Sequence, residues 1–174
     1  MNLKKIGVLV LSFVMIAAVA SAGTKEFSMG KFYLTPQIGF GSWGGSVPFG
    51  ASGEYAMTEN IGIGGSVMAQ FWSEEYWSES LINIAAEVNY HFIKLNAEKI
   101  DLYAGVGLGY SVVSVTYDSG WSTGSSAASG IYIQTVLGAR YYFTPKMAAS
   151  LRLIGSLTGF SGFGAAAGVT FILN

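Results

Sequence analysis

Six ionisable residues of this chain stand within segments that are otherwise apolar or rich in glycine. They are the chain's single histidine, two arginines and three acids: Glu54, Glu87, His91, Asp101, Arg140 and Arg152. A histidine beside an acid is the arrangement that activates a Ser nucleophile in hydrolysis or acyl transfer. Acids and arginines removed from water form ion pairs instead, because an unpaired buried charge is strongly destabilising. The choice between these two chemistries depends on the elements that carry the six residues.

The pattern around these residues is that of β-strands. Apolar side chains occupy every second position, with Gly, Ser, Thr, Gln or a charged residue between them, which is the period of an extended strand. Each such segment has the roughly 9–11 residues that a tilted strand needs to cross a bilayer. The sequence predicts eight strands, near 31–41, 49–57, 61–71, 81–93, 99–111, 131–143, 147–157 and 163–173.

The connections between these segments alternate in length. Thr58-Glu59-Asn60 and Thr144-Pro145-Lys146 predict tight turns. Longer connections, rich in Gly, Ser and Trp, are predicted around 42–48, 72–80, 112–130 and 158–162. Short turns on one side and long loops on the other are typical of the periplasmic and extracellular ends of an outer-membrane barrel.

The polarity of the second strand face separates a membrane barrel from a soluble, lipocalin-like one. A soluble barrel fills its interior with large apolar side chains, whereas here the face opposite the Leu, Ile, Val and Phe residues is mostly Gly, Ser, Asn and Gln. Charged residues make up 11% of the chain, against about 25% in an ordinary soluble domain. The predicted fold is therefore all-β, an eight-stranded antiparallel up-and-down transmembrane β-barrel.

Aromatic residues cluster at both ends of the predicted strands, as in the two interfacial girdles of a membrane protein. The girdle at the tight turns would contain Tyr55, Tyr90, Phe92, Tyr141, Phe143 and Phe171. The girdle at the long loops would contain Trp43, Phe71, Trp72, Trp77, Tyr110, Trp121 and Phe163.

The first 22 residues have the three parts of a secretory signal peptide. Lys4 and Lys5 precede an apolar run over 6–19, and Ala20-Ser21-Ala22 forms a small-residue cleavage site. The apolar run is shorter than the roughly 20 residues of a spanning helix, which disfavours the alternative of a retained membrane helix. We expect residues 1–22 to be removed on export and residues 23–174 to form the barrel in the cell outer membrane.

Two turn contexts, GEYAMTENIGIGGS and GARYYFTPKMAASL, carry a family resemblance. Each has an aromatic residue before a Thr-centred turn, with alternation resuming after it. In this the chain resembles the outer-membrane protein β-barrel family, which includes the membrane domain of OmpA and small OmpX-type barrels, over residues 25–174. The resemblance implies a lumen filled by a charged network. The expected partners of this chain are outer-membrane lipids, lipopolysaccharide and, during biogenesis, the barrel-assembly machinery.

The period of two places Arg140 and Arg152 on the lumen face, because an arginine facing the bilayer midplane would cost about 2–4 kcal/mol. If residues 144–146 form a three-residue loop, Arg140 lies opposite Ser150 and diagonal to Arg152. Two like charges at that distance require acids nearby. We therefore predict an ionic cluster of Glu54, Glu87, Arg140 and Arg152. Its expected hydrogen-bond neighbours are Gln37, Gln70, Gln134, Tyr103 and Tyr142.

The single histidine, His91, is predicted to face the lumen near the tight-turn end with Asp101 across the hairpin. The pair is either structural or a catalytic dyad. Chemistry on outer-leaflet lipid would need it at the opposite end of the barrel, so we expect a structural pair and no enzyme activity. No cofactor or metal-binding motif is recognised. A net charge of −1 without a basic patch also argues against nucleic acid as a partner.

The most distinctive predicted loop is QFWSEEYWSES, in which acids alternate with aromatic residues. Its candidate contact residues for an extracellular ligand are Trp72, Glu74, Glu75, Tyr76, Trp77 and Glu79. The sequence thus predicts a monomeric barrel with a structural or surface-interaction role. The alternatives are OmpW-like passage of small apolar molecules and, less favoured, a lipid A-modifying enzyme.

Overall fold

A computed structural model describes residues 27–41, 46–93, 99–118, 123–158 and 163–173. The predicted signal peptide, residues 1–22, lies outside the described residues, as do Trp43 and Trp121 of the predicted girdle. No helix in the described ranges is long and apolar enough to cross a membrane.

Eight antiparallel strands close into one barrel in sequence order, and β8 pairs with β1. The strands are β1 Phe32–Gly41, β2 Phe49–Ala56, β3 Ile61–Glu74, β4 Trp77–His91, β5 Ile100–Asp118, β6 Thr123–Thr144, β7 Met147–Ser156 and β8 Phe163–Leu173. This architecture confirms the predicted fold class. We call the end with the β2–β3, β4–β5 and β6–β7 connections the turn end, and the opposite end the loop end.

The outer and inner faces of the wall differ in polarity as a bilayer requires. Large apolar side chains point outwards, and five of them are at least half exposed: Ile38, Ile84, Val106, Leu108 and Leu137. Alternate residues point inwards and are buried, most of them polar or charged. An apolar exterior with a polar interior is the distribution of a transmembrane barrel.

Strands β3 to β6 extend beyond the rest of the barrel at the loop end. The last β2–β3 rung is Phe49–Ala69 and the last β6–β7 rung is Gln134–Ser156, yet β5 and β6 stay paired up to Asp118–Thr123. We call residues 70–74, 77–81, 113–118 and 123–133 the four-strand extension. The predicted long loops at 72–80 and 112–130 are therefore wrong, because most of these residues continue the strands.

The β6–β7 turn also differs in detail from its prediction. Thr144 pairs with Met147, which leaves a two-residue turn, and a bulge lies between Tyr142 and Thr144. The bulge puts one extra residue into β6, which compensates for a turn that is one residue shorter than predicted. Arg140 consequently lies opposite Ser150, the register that the sequence predicted.

Candidate functional site: the ionic groups of the lumen

The lumen contains the six ionisable residues Glu54, Glu87, His91, Asp101, Arg140 and Arg152. Each comes from a strand whose alternation turns it inwards, and each is at most 5% exposed. The described ion pairs divide the six into two groups. We call Glu54, His91, Asp101 and Arg140 the turn-end group, and Glu87 with Arg152 the central pair.

In the turn-end group, one arginine lies between two acids. Arg140 donates from Nη2 to Glu54 Oε2, and its Nη1 lies 3.5 Å from Asp101 Oδ2. The Arg140 guanidinium also lies over the rings of Tyr33 and Tyr103, at 4.9 and 4.7 Å from the centroids. A buried guanidinium held by carboxylates and aromatic faces keeps favourable contacts that offset its lost hydration.

The histidine of this group contacts acids from two different strands. His91 Nδ1 lies 2.8 Å from Asp101 Oδ1, and His91 Nε2 lies 3.1 Å from Glu54 Oε1. Asn89 donates from Nδ2 to Glu54 Oε1 at 2.8 Å. The contact to Asp101 is the predicted lumen pair, and the contact to Glu54 joins that pair to Arg140. This connection could not be predicted from the sequence, because β2 and β4 are not neighbouring strands and their side chains meet only inside the lumen.

The central pair is held by neutral polar neighbours. Arg152 donates from Nη2 to Glu87 Oε2 at 2.5 Å. Glu87 Oε1 accepts from Ser66 Oγ at 2.5 Å and from Gln134 Nε2 at 2.8 Å. The four-residue cluster predicted from the sequence is thus arranged as two separate ion pairs, Glu54 with Arg140 and Glu87 with Arg152.

Two of the predicted neighbours, Gln37 and Gln70, lie away from the ionic groups. Gln37 donates to Met68 Sδ, and Gln70 donates to the Ser46 carbonyl oxygen, both on the loop-end side of the ionic groups. Tyr142 lies in an apolar cluster that closes the turn end, with Phe27, Tyr33, Ala56, Ala148 and Ile172. Phe27 precedes β1 and belongs to no strand, so the alternating pattern does not predict its position.

Glycines on the inner face make room for these side chains. A Cβ at Gly62 would overlap the Glu54 carboxylate, and a Cβ at Gly138 would overlap the Tyr103 ring. A Cβ at Gly105 would likewise overlap the side-chain amide of Asn89. The lumen glycines thus let large polar side chains cross a narrow barrel, as expected from their position on the lumen face.

The predicted surface residues do not lie in a loop. Trp72 and Glu74 end β3, Trp77 and Glu79 begin β4, and only 75–76 form the turn. Trp72 is paired with Glu79 and Glu74 with Trp77, so an acid faces a Trp on both rungs. The two Trp rings pack at 4.8 Å between centroids. The hairpin therefore belongs to the four-strand extension.

Closed strand order, an apolar outer face and buried inward charges define the chain as a transmembrane β-barrel. No known family model and no curated protein matches its sequence. Solved structures match its fold. The N-terminal β-barrel domain of Pseudomonas aeruginosa OprF has a TM-score of 0.60 and 18% identity, covering 83% of this chain and 98% of that one.

Two further structures match over similar lengths. The attachment invasion locus protein Ail of Yersinia pestis has a TM-score of 0.58 and 13% identity, covering 83% of this chain and 99% of that one. The outer membrane protein OprG of Pseudomonas aeruginosa has a TM-score of 0.59 and 10% identity, covering 88% and 99%. The chain therefore has the fold of the small eight-stranded outer-membrane barrels.

Proposed function

We propose that this chain is an outer-membrane barrel with a structural or surface-interaction role, whose lumen is closed to solutes by its own side chains. The observation that carries the proposal is burial inside the lumen. The side chains of Arg140 and Glu54 are each 4% exposed, and those of Arg152 and Glu87 are 2% and 3% exposed. A water-filled channel would expose charges on its wall, so this burial supports a closed barrel.

Conductance in a planar lipid bilayer tests the closed lumen. The wild type is expected to show no steady current, because ion pairs cross the lumen in two successive layers. Removing both layers, with Glu54→Ala, Glu87→Ala, Arg140→Ala and Arg152→Ala together, is expected to open small, irregular currents. The control variant is Glu75→Ala, at the exposed hairpin turn. Large, stable wild-type conductance would contradict the proposal.

The surface role rests on the β3–β4 hairpin. It presents Glu74, Glu75 and Glu79 beside two packed Trp rings, with Tyr76 at the tip 61% exposed. Acidic groups beside aromatic faces suit a cationic partner, such as a Lys- and Arg-rich protein segment. A structure of Ail contains the heparin analogue sucrose octasulfate. A sulfated ligand carries the wrong charge for this hairpin.

Binding of a soluble basic peptide to cells that display the barrel tests this role. Changing the three hairpin acids to Gln is expected to abolish the salt-sensitive part of binding, because exposed charges are screened at high ionic strength. Changing Glu59, at the opposite end of the barrel, to Gln serves as the matched control. Equal binding by both variants would show that the hairpin is not the contact surface.

An alternative function is OmpW-like passage of small apolar molecules from the lumen into the membrane. The specific observation that favours it lies at the β1–β8 seam, where the rungs pass from Leu34–Phe171 to Gln37–Gly168 without pairing Pro36. Proline has no N–H and weakens a ladder locally. Uptake of an apolar dye into vesicles containing the barrel would favour this function, particularly if a cross-link across the seam stopped it.

The enzyme alternative has less support in the geometry. His91 and Asp101 are both 0% exposed in side chain, and both ring nitrogens are engaged by carboxylates, so no nitrogen is available to activate a nucleophile. We expect lipid A from cells that express the barrel to keep its mass, with wild type and His91→Ala alike. A mass change abolished by His91→Ala would establish catalysis.

A further inference from the structure

The His91 ring faces a carboxylate oxygen at each of its two nitrogens. Nδ1 lies 2.8 Å from Asp101 Oδ1 and Nε2 lies 3.1 Å from Glu54 Oε1. An ionised carboxylate can only accept a hydrogen bond, and a neutral imidazole has one N–H to donate. If His91 were neutral, one nitrogen lone pair would point at a carboxylate in a buried site. Two hydrogen bonds at this position require a second proton.

The neighbouring groups place that proton on the histidine. Glu54 also accepts from Arg140 and from Asn89, and Asp101 lies against Arg140. Hydrogen bonds donated to a carboxylate favour its ionised form. The remaining titratable side chains around the group are the phenols of Tyr33, Tyr103 and Tyr142, which contribute no charge at neutral pH.

Charge balance gives an independent reason. The turn-end group has two carboxylates and one guanidinium, so it carries a net charge of −1 when His91 is neutral. With both acids ionised, it is neutral only when His91 carries a positive charge. The central pair, Glu87 with Arg152, is already balanced. An uncompensated charge in a buried site is strongly destabilising, so the whole group favours an imidazolium.

An aromatic residue from outside the strands covers this ring. Phe27 stacks on His91 with 3.5 Å between centroids and 7° between planes, and is itself 1% exposed. Tyr103 lies against His91 at 5.1 Å and 27°. We call residues 27–31 the Phe27 segment. Two backbone hydrogen bonds hold it to β2: Gly30 N–H donates to Ala56 O, and Ala56 N–H donates to Lys31 O. A cation between aromatic faces is attracted by both.

We propose that His91 is a buried imidazolium that neutralises the turn-end group and binds Phe27, so that loss of its proton releases the Phe27 segment from the turn end. His91 and its two acids then form a proton-binding site that the Phe27 ring covers. The charge of this site determines whether residues 27–31 stay packed against the turn end. It does not depend on whether the barrel conducts, transports or contacts a partner.

Nitrogen-15 NMR of the imidazole in the folded barrel, in detergent micelles, tests the charge directly. The chain has one histidine, so the signals of a protein made without a histidine tag need no assignment. Both ring nitrogens are expected in the protonated range at neutral pH. Raising the pH should remove the proton and, with it, the ring-current shift that Phe27 imposes on the His91 ring protons. A neutral tautomer at neutral pH would overturn the proposal.

Two comparisons separate the charge from simple packing. Phe27→Leu is expected to move the His91 deprotonation step to lower pH, whereas Phe40→Leu on the outer face should leave it in place. If deprotonation leaves the ring-current shift from Phe27 unchanged, the proposed release of the Phe27 segment is contradicted.

A charge-matched pair of variants gives the second comparison. His91→Gln should destabilise the barrel, and adding Glu54→Gln should recover part of that loss because the group again sums to zero. A double variant as unstable as the sum of the two single changes would show that His91 acts by shape alone. The NMR measurement uses the wild type, so it decides the charge even if these variants do not fold.

Discussion

Arg140 has several partners to lose in the lumen, because it pairs with Glu54, approaches Asp101 and lies over two tyrosine rings. Buried ion pairs of this kind add little net stability over apolar residues of the same size. Breaking one is different, since the remaining charge stays buried without its partner. The strength of the pair is therefore best measured as a coupling between two substitutions.

Arg140→Ala is expected to lower the free energy of unfolding by about 3–5 kcal/mol, because it removes the guanidinium that pairs with Glu54 and Asp101 and leaves a buried negative charge uncompensated. Glu54→Ala in the same chain should cost less than it does alone, since residues of one ion-pair network are not additive. Urea unfolding in lipid vesicles measures all three values. Lys146→Ala, at the exposed turn, is the control and should change stability by no more than about 0.5 kcal/mol. Strict additivity would mean that Arg140 and Glu54 do not bridge.

A lumen glycine gives a second test of how tightly the side chains fit. Gly138→Ala would drive a Cβ into the Tyr103 ring, which lies between His91 and Arg140 and cannot move freely. We expect a loss of about 1–3 kcal/mol, the usual cost of overpacking. Gly164→Ala is the matched control, since its nearest neighbour is the Phe40 carbonyl oxygen at 3.4 Å. Equal stability of the two variants in urea would contradict the packing described for Tyr103.

The eight strands could be predicted because one face of each meets lipid, and that contact imposes a period of two on the sequence. Predicted and observed bounds agree closely for β1, β2, β7 and β8. The strands β3 to β6 are longer than predicted at the loop end. In 123–130, TGSSAASG, small and polar residues occupy both faces, and the strand is held by its ladder with β5.

The ionic residues could be predicted one by one, but not their grouping. Alternation assigns Glu54, Glu87, Arg140 and Arg152 to the lumen without saying which of them meet. That depends on how far each side chain reaches across the barrel between strands that are not neighbours. Phe27 was missed for a related reason, since it belongs to no strand and its position follows from the contact with His91.

The boundary between lipid and water along β5 and β6 can be located by an arginine placed on the outer face. Leu108→Arg, at a position 61% exposed on the barrel wall, is expected to cost about 2–4 kcal/mol because the charge would face the bilayer interior. Ala127 lies on the outer face of the four-strand extension. Ala127→Arg should therefore change the free energy of unfolding very little. Folding into vesicles followed by urea titration measures both. A similar loss at the two positions would place the extension within the membrane.

Within the described residues the sheet closes on itself, because β8 pairs with β1 from Phe32–Leu173 to Gly41–Gly164, with a break at Thr35 and Pro36. Inside lipid, every backbone polar group must be satisfied within the protein, and closure is how a sheet achieves this. Opening the barrel requires one of its eight ladders to break along its length. The folded state should therefore resist detergents that unfold proteins held mainly by apolar cores.

Resistance to sodium dodecyl sulfate follows as a prediction for the intact chain. Unheated protein is expected to migrate as a compact species on a denaturing gel, and boiled protein as a slower, unfolded one. Replacing Ile38, an outward β1 residue at the β1–β8 seam, by Pro should abolish the compact band, because proline removes an N–H from the ladder. The same substitution at Ser126, in the extension, is the control and should leave that band intact. A wild-type chain whose mobility is the same with and without boiling would contradict closure of the barrel.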